Sequence, residues 1–150
     1  MEKKFELTDK FVFNTFGIKL FQIKCTKSFK YAKEGDLGGY VEKDENLDQE
    51  SDAWVSGNAQ VSGNARVSGN ADIENDNNHC GFDCFGSCNR HTHAYLTKDN
   101  KVEITCGCFR GSIEEFEKEV EKTHSGTIYE KQYKAIINVI KIKFGLTDLI

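Results

Sequence analysis

Between residues 53 and 76 the chain reads AWVSGN-AQVSGN-ARVSGN-ADIEND, and its apolar positions recur every six residues. Val55, Val61, Val67 and Ile73 form one column, and Ala53, Ala59, Ala65 and Ala71 form a second, two residues earlier. Gly57, Gly63 and Gly69, each followed by Asn, mark the turns. A β-branched residue suits the inner face of a short strand, a small Ala fits a crowded inner position, and Gly-Asn tolerates the positive φ of a tight corner. Three hexads make one triangular coil of a β-solenoid, and each coil buries its inner face by stacking on the next. Residues 35–76 therefore predict a solenoid of about two coils, with Leu37, Val41 and Leu47 as its first inward residues. A run of short hairpins with SGN turns is the competing reading, but hairpins have no need of an alanine column. Two coils leave an apolar cross-section at each end. The N-terminal strands are expected to cover one, and the C-terminal part or another subunit the other.

The flanks show other periods. Residues 4–7 (KFEL) read as a short strand. Residues 16–25 (FGIKLFQIKC) alternate, with Ile18 and Leu20 on one face and, after a slip, Phe21, Ile23 and Cys25 on the other. Cys25, alone among strand residues, reads as a buried inert thiol. Residues 91–108 (HTHAYLTKDNKVEITCGC) alternate on both sides of a polar turn and predict a hairpin. From residue 112 the spacing becomes helical. Ser112 and Glu115 form a capping-box pair, Ile113, Phe116 and Val120 make an apolar stripe, and Gly126 ends the helix. Thr127 and Glu130 repeat the cap spacing, and Tyr133, Ile136, Ile137, Ile140 and Phe144 continue as a second helix. The fold class expected is α+β: strands over 1–34, the repeat over 35–76, and a Cys/His-rich hairpin with two helices over 77–150. The tail LTDLI keeps three apolar residues and suggests docking or a dimer contact.

Composition narrows the chemistry. The net charge of −4 argues against a general nucleic-acid binder, which carries a basic face. No apolar run approaches the ~20 residues of a membrane span, and MEKKFELTDK lacks a signal-peptide core, so a cytoplasmic protein is expected. In that compartment six cysteines read as metal ligands or thiols before disulfides. Cys80, Cys84 and Cys88 recur every four residues, His91 and His93 follow, His79 lies beside them, and Cys106 and Cys108 come soon after. Thiolates and imidazoles in sets of four are the ligands zinc takes. An irregular stretch such as 75–93, with little to bury, gains most from a metal staple. With Asp99-Asn100 as a two-residue turn, Leu96 would face Glu103, His93 would face Cys106 and His91 would face Cys108. That register puts two histidines and two cysteines on one face of a hairpin. The ligands of a Zn2+ ion are therefore expected among Cys80, Cys84, Cys88, Cys106, Cys108, His91 and His93. They form either the hairpin set alone, or two hairpin ligands completed from the earlier cysteines. Buried inert thiols and a redox-active thiol pair are the competing readings. The deaminase and H-E-x-x-H patterns are absent, so any zinc is expected to be structural.

GDLGGYVEKDENL at 35–47, AWVSGNAQVSGNA at 53–65 and TCGCFRGSIEEFEKEVEKTH at 105–124 resemble a group of proteins common in temperate bacteriophages and other mobile elements. The resemblance covers most of the chain, and similarity to hexapeptide-repeat proteins implies a left-handed coil. The group keeps cysteines matching Cys106 and Cys108. It often lacks those matching Cys80, Cys84 and Cys88, and it has Thr where His91 and His93 stand, which makes the metal site a feature of this branch. Hexapeptide-repeat acyltransferases are similar in pattern, but residues 35–76 hold no histidine to serve as their base. The expectation is a non-enzymatic protein that binds and inhibits a host defence protein, in the manner of an anti-CRISPR blocking a Cas9-type effector nuclease. It would act as a monomer or small homo-oligomer. A self-assembling structural protein is the alternative, and a zinc-dependent enzyme the third.

Overall fold

The computed structural model describes residues 3–146 and divides the chain into two compact units, Met1–Asn78 and His79–Ile150. The C-terminal residues 147–150, which hold most of the LTDLI tail, lie outside the described residues.

In the first unit, β1 (Phe5–Phe13) pairs antiparallel with β2 (Lys19–Cys25), and β2 pairs antiparallel with β3 (Leu37–Val41). The hexads supply three strands of two residues each: β4 (Trp54–Val55), β5 (Gln60–Val61) and β6 (Asp72–Ile73). β5 joins the edge of a mixed sheet in the order β1-β2-β3-β5, with Val41 opposite Val61 in parallel, while β4 and β6 pair alone, Val55 opposite Ile73. Leu47 and Val67 share a single parallel bridge.

This corrects the expected two-coil left-handed β-solenoid. The described residues form three sheets, one mixed, one a short parallel pair and one antiparallel, followed by two helices. Pairings of two residues, split between two sheets, do not build the continuous ladders on which coils stack. The N-terminal strands do not close one end of a stack either, because they lie beside β3 in the same sheet. The period did predict which side chains turn inward: Val55, Val61, Val67, Ile73, Ala53, Ala59 and Ala71 are fully buried. Burial and strand pairing are separate consequences of a sequence, and only the first follows from spacing. Self-assembly through a bare solenoid end loses its premise with the solenoid. Leu37, expected inward, is exposed.

Three features hold this unit. Gly38 and Gly39 are buried where backbones approach closely. A Cβ on Gly38 would lie 2.6 Å from the Val55 carbonyl oxygen, and one on Gly39 would lie 2.8 Å from that of Ala59. Asn46, fully buried in a 3-10 turn (Asp44–Asn46), satisfies four backbone groups. Its Oδ1 accepts from the N–H groups of Glu42 and Lys43 at 3.1 and 2.9 Å, and its Nδ2 donates to the carbonyls of Gly63 and Ala65 at 3.2 and 2.9 Å. Lys4 is also buried. Its Nζ donates to the Ser51 and Ala53 carbonyls at 2.7 and 2.6 Å, and burial lowers its pKa to about 8.

The second unit is an antiparallel sheet ordered β10-β9-β8-β7, built from β7 (His79–Phe85), β8 (Arg90–Leu96), β9 (Val102–Cys106) and β10 (Phe109–Ser112). Helices α1 (Ile113–His124) and α2 (Ile128–Lys143) follow. Both begin where the sequence predicts. Ser112 and Glu115 make the reciprocal capping box, and the Thr127 side chain accepts from the Glu130 N–H. Ile113, Phe116, Val120, Tyr133, Ile136, Ile137 and Ile140 pack with Ala94, Ile104 and Cys106 in one apolar core. The acidic face of α1 is partly answered within the fold, since Glu117 and Glu121 pair with Lys141 and Lys134.

β7 is the element the sequence hid. The Gly, Asn and Asp content of residues 75–93 reads as loop, yet Cys80 and Phe82 pack against the helical core while His79 and Asp83 lie with the histidines of β8.

Candidate functional site

The register of the β8–β9 hairpin decides which groups meet. His93 is opposite Thr105 and Thr92 is opposite Cys106, one residue away from the expected pairing. The cause is the turn. Thr97 donates to the Lys101 carbonyl at 2.8 Å and Asn100 takes a left-handed φ of 60°, closing a three-residue loop where a two-residue turn was expected. A slip of one residue moves every side chain to the other face. His91 and His93 therefore lie on the side opposite Cys106, and the expected set of His91, His93, Cys106 and Cys108 on one hairpin face does not form.

The histidines meet each other instead. Asp83 Oδ1 is 2.6 Å from His91 Nδ1, His91 Nε2 is 3.2 Å from His93 Nδ1, and His93 Nε2 is 3.1 Å from His79 Nδ1. An ionised carboxylate only accepts, so His91 carries its proton on Nδ1 and offers Nε2 as acceptor. With one proton per ring, His93 and then His79 follow as Nδ1–H tautomers, and each ring nitrogen between Asp83 and His79 has a partner. Burial holds the His93 imidazole well below its usual range, and the neighbouring His79 and His91 push it further. Gly81 is required beneath this row, since a Cβ there would sit 2.7 Å from the His91 ring. His79 and His91 touch different nitrogens of His93, which point apart, so the three rings do not converge on one ion.

The cysteines fall in several places. Cys80 packs against the helical core, and burial raises its thiol pKa. Cys84 is exposed on β7 with a φ of 68°. Cys25, in the first unit, is buried, donates to the Lys27 carbonyl at 3.2 Å and has its pKa raised by burial, as an inert thiol should. Cys88, Cys106 and Cys108 border one cavity. With Arg90, His124 and Tyr133 they line a pocket of about 270 Å³ in the second unit. Cys106 is the buried member. Its sulfur accepts from Thr92 Oγ1 at 3.3 Å and lies 3.7 Å from the Tyr133 hydroxyl. Burial raises the Tyr133 phenol above its usual range, and the Cys106 contact adds to this. Cys88 is fully exposed, and hydrogen bonds from the Arg90 guanidinium and then the Ser87 hydroxyl lower its thiol pKa.

Seven ligand candidates are thus spread over a histidine row, a thiol pocket and two separate positions on β7. Among the described residues, no group of three or more His, Cys, Asp or Glu side chains is arranged to hold a metal ion. Sequence reasoning missed Asp83, Arg90 and Tyr133. Asp83 was legible only once β7 was recognised as a strand, and Arg90 and Tyr133 had no local motif. Among the described residues no helix is long and apolar enough to cross a membrane. No protein-family model, no curated protein and no solved structure matches the chain.

Proposed function

We propose that this protein acts by occupying another protein, as a non-enzymatic inhibitor of a host defence component in the cytoplasm. The observation that supports this is the aromatic tip of the β1–β2 hairpin. Phe11, Phe13 and Phe16 are 44%, 61% and 87% exposed. The Phe11 and Phe13 rings meet edge to face at 5.5 Å, and Lys19 Nζ stands 4.1 Å from the Phe11 ring centroid. β3 pairs with β2 only from Phe21 to Lys24, so the tip runs on beyond it. Clustered exposed aromatics with a cation beside them are the composition of an interface core. The resemblance to phage proteins supplies the context, and the net charge of −4 suits a target with a basic channel. A CRISPR effector nuclease is the target class that joins the two.

The test mixes the protein with a panel of such effectors and reads co-elution and DNA cleavage. Capture by at least one effector, lost in a Phe11→Ala, Phe13→Ala, Phe16→Ala variant, is the expected result. Cleavage undiminished at excess protein, with no co-elution, overturns the reading. The three phenylalanines are exposed, so the variant is expected to keep its fold.

A further inference from the structure

The β7–β8 and β9–β10 turns lie at the same end of the four-stranded sheet, and each carries an exposed cysteine, Cys88 and Cys108. Both turns are held in place. The Gly86 N–H donates to Gln132 Oε1 at 2.9 Å, a Cβ on Gly86 would lie 2.0 Å from the Tyr133 hydroxyl, and Gly86 and Asn89 both take positive φ around Cys88. Gly107, with a φ of 59°, turns the chain between Cys106 and Cys108. A Cβ there would lie 1.8 Å from Arg90 Nη1. One guanidinium thus lies across the Cys106–Cys108 turn while donating to the Cys88 sulfur. A cation beside three sulfurs is unfavourable for a divalent metal and favourable for a thiolate.

We propose that Cys88 and Cys108 form a redox pair, in which a peroxide entering this pocket oxidises Cys88 and Cys108 closes the disulfide. In the first step the Cys88 sulfur attacks one peroxide oxygen. The O–O bond breaks, the sulfur becomes a sulfenic acid, and the other oxygen leaves as water or, from an organic peroxide, as an alcohol. The Cys108 sulfur then attacks the Cys88 sulfur. The S–O bond breaks, the S–S bond forms, and the second oxygen leaves as water carrying the thiol proton. The two thiols give up two electrons and the peroxide takes them. Cys106 is not the partner, because it is buried and its sulfur is engaged by Thr92 and Tyr133. Cys84 is also exposed but does not line the pocket, which makes it an internal control.

The experiment treats the reduced full-length protein with hydrogen peroxide and maps its peptides by mass spectrometry. A Cys88–Cys108 linked peptide is expected, forming before any change at Cys84. In Cys108→Ser, the reaction should stop at a sulfenic acid on Cys88 that a carbon nucleophile traps. Arg90→Gln should slow the first step roughly tenfold and Arg90→Lys should restore part of the rate, which a purely structural arginine would not do. Oxidation of Cys84 at the same rate as Cys88, or a crosslink through Cys84 or Cys106, overturns the proposal. So does a bound zinc that shields Cys88 and Cys108 from alkylation.

Discussion

The two units solve the same problem, burying an apolar face with little chain, in different ways. In the first, the side chains that turn inward repeat every six residues and the backbone carries much of the contact: Gly38 and Gly39 let strands nearly touch, and one Asn46 side chain satisfies four backbone groups. In the second, a four-stranded sheet is closed by two helices whose side chains form most of the buried core. The difference predicts where each unit breaks. The first is sensitive to anything that separates its strands, and the second to anything that loosens its helices. The protein's single tryptophan, Trp54, reports on the first unit, and helical circular dichroism reports on the second.

The largest effect is expected from Val61→Asp, which places an unpaired charge among fully buried hexad residues at a cost of ~4 kcal/mol. Trp54 fluorescence should show an unfolded environment at 25 °C while the helical signal persists. Loss of both signals together would show that the two units fold as one. Ile140→Ala is the mirror test. Ile140 is fully buried in the helical core, and the cavity should cost about 3 kcal/mol, lowering the helical transition and leaving that of Trp54 in place.

Asn46→Ala should destabilise the first unit by about 2 kcal/mol, because the Lys43 N–H and the Gly63 and Ala65 carbonyls lose their Asn46 partner, while the Glu42 N–H keeps the Val61 carbonyl. Asp at the same position can still accept from Glu42 and Lys43 but cannot donate to Gly63 and Ala65. Urea denaturation followed by Trp54 should rank wild type above Asp and Asp above Ala. Equal midpoints for all three would show that the side chain only fills space.

The units should also separate by pH. Burial lowers Lys4 to about 8 from 10.5, so the unfolded chain binds more protons between those values and the first unit gains stability as pH rises through that window. His93 is held below 6.5, so the second unit loses stability as pH falls below 6.5, where the unfolded chain takes up a proton that the folded one refuses. Each slope is at most ~1.4 kcal/mol per pH unit for one proton. Melting curves recorded with both probes from pH 5 to pH 10 check the assignment, and a shift of the Trp54 transition in acid alone would contradict it.

What could be read in advance divides along the same line. Both helices, their caps and their buried stripes were legible, since capping boxes and helical spacing are local signals. The inward hexad residues were legible for the same reason. Strand pairing was not: Val41 meets Val61 and Val55 meets Ile73 across sequence separations that no local signal encodes. The candidate site failed on a single residue. The choice between a two-residue and a three-residue loop depends on whether Asn100 alone takes the left-handed region, and that choice assigns His91 and His93 to one face and Cys106 to the other. The thiol pocket draws Cys88 and Arg90 from one turn, Cys108 from another and Tyr133 from a helix, so spacing could bring no more than the cysteines to notice.

The smallest effect tests that residue directly. Asn100 at a φ of 60° carries a modest backbone penalty that glycine does not, so Asn100→Gly should stabilise the helical transition by ~0.5 kcal/mol and leave Trp54 unmoved. Asn100→Val should do the reverse, because a β-branched side chain is poorly accommodated in the left-handed region. The informative readout is register as well as stability. Cross-strand nuclear Overhauser contacts should place His93 opposite Thr105 in wild type and in the glycine variant. If the valine variant instead shows His93 opposite Cys106, the loop alone selects the register. If it keeps Thr105 and merely melts earlier, the apolar face formed by Ala94, Ile104 and the two helices holds the register, and the loop conforms to it.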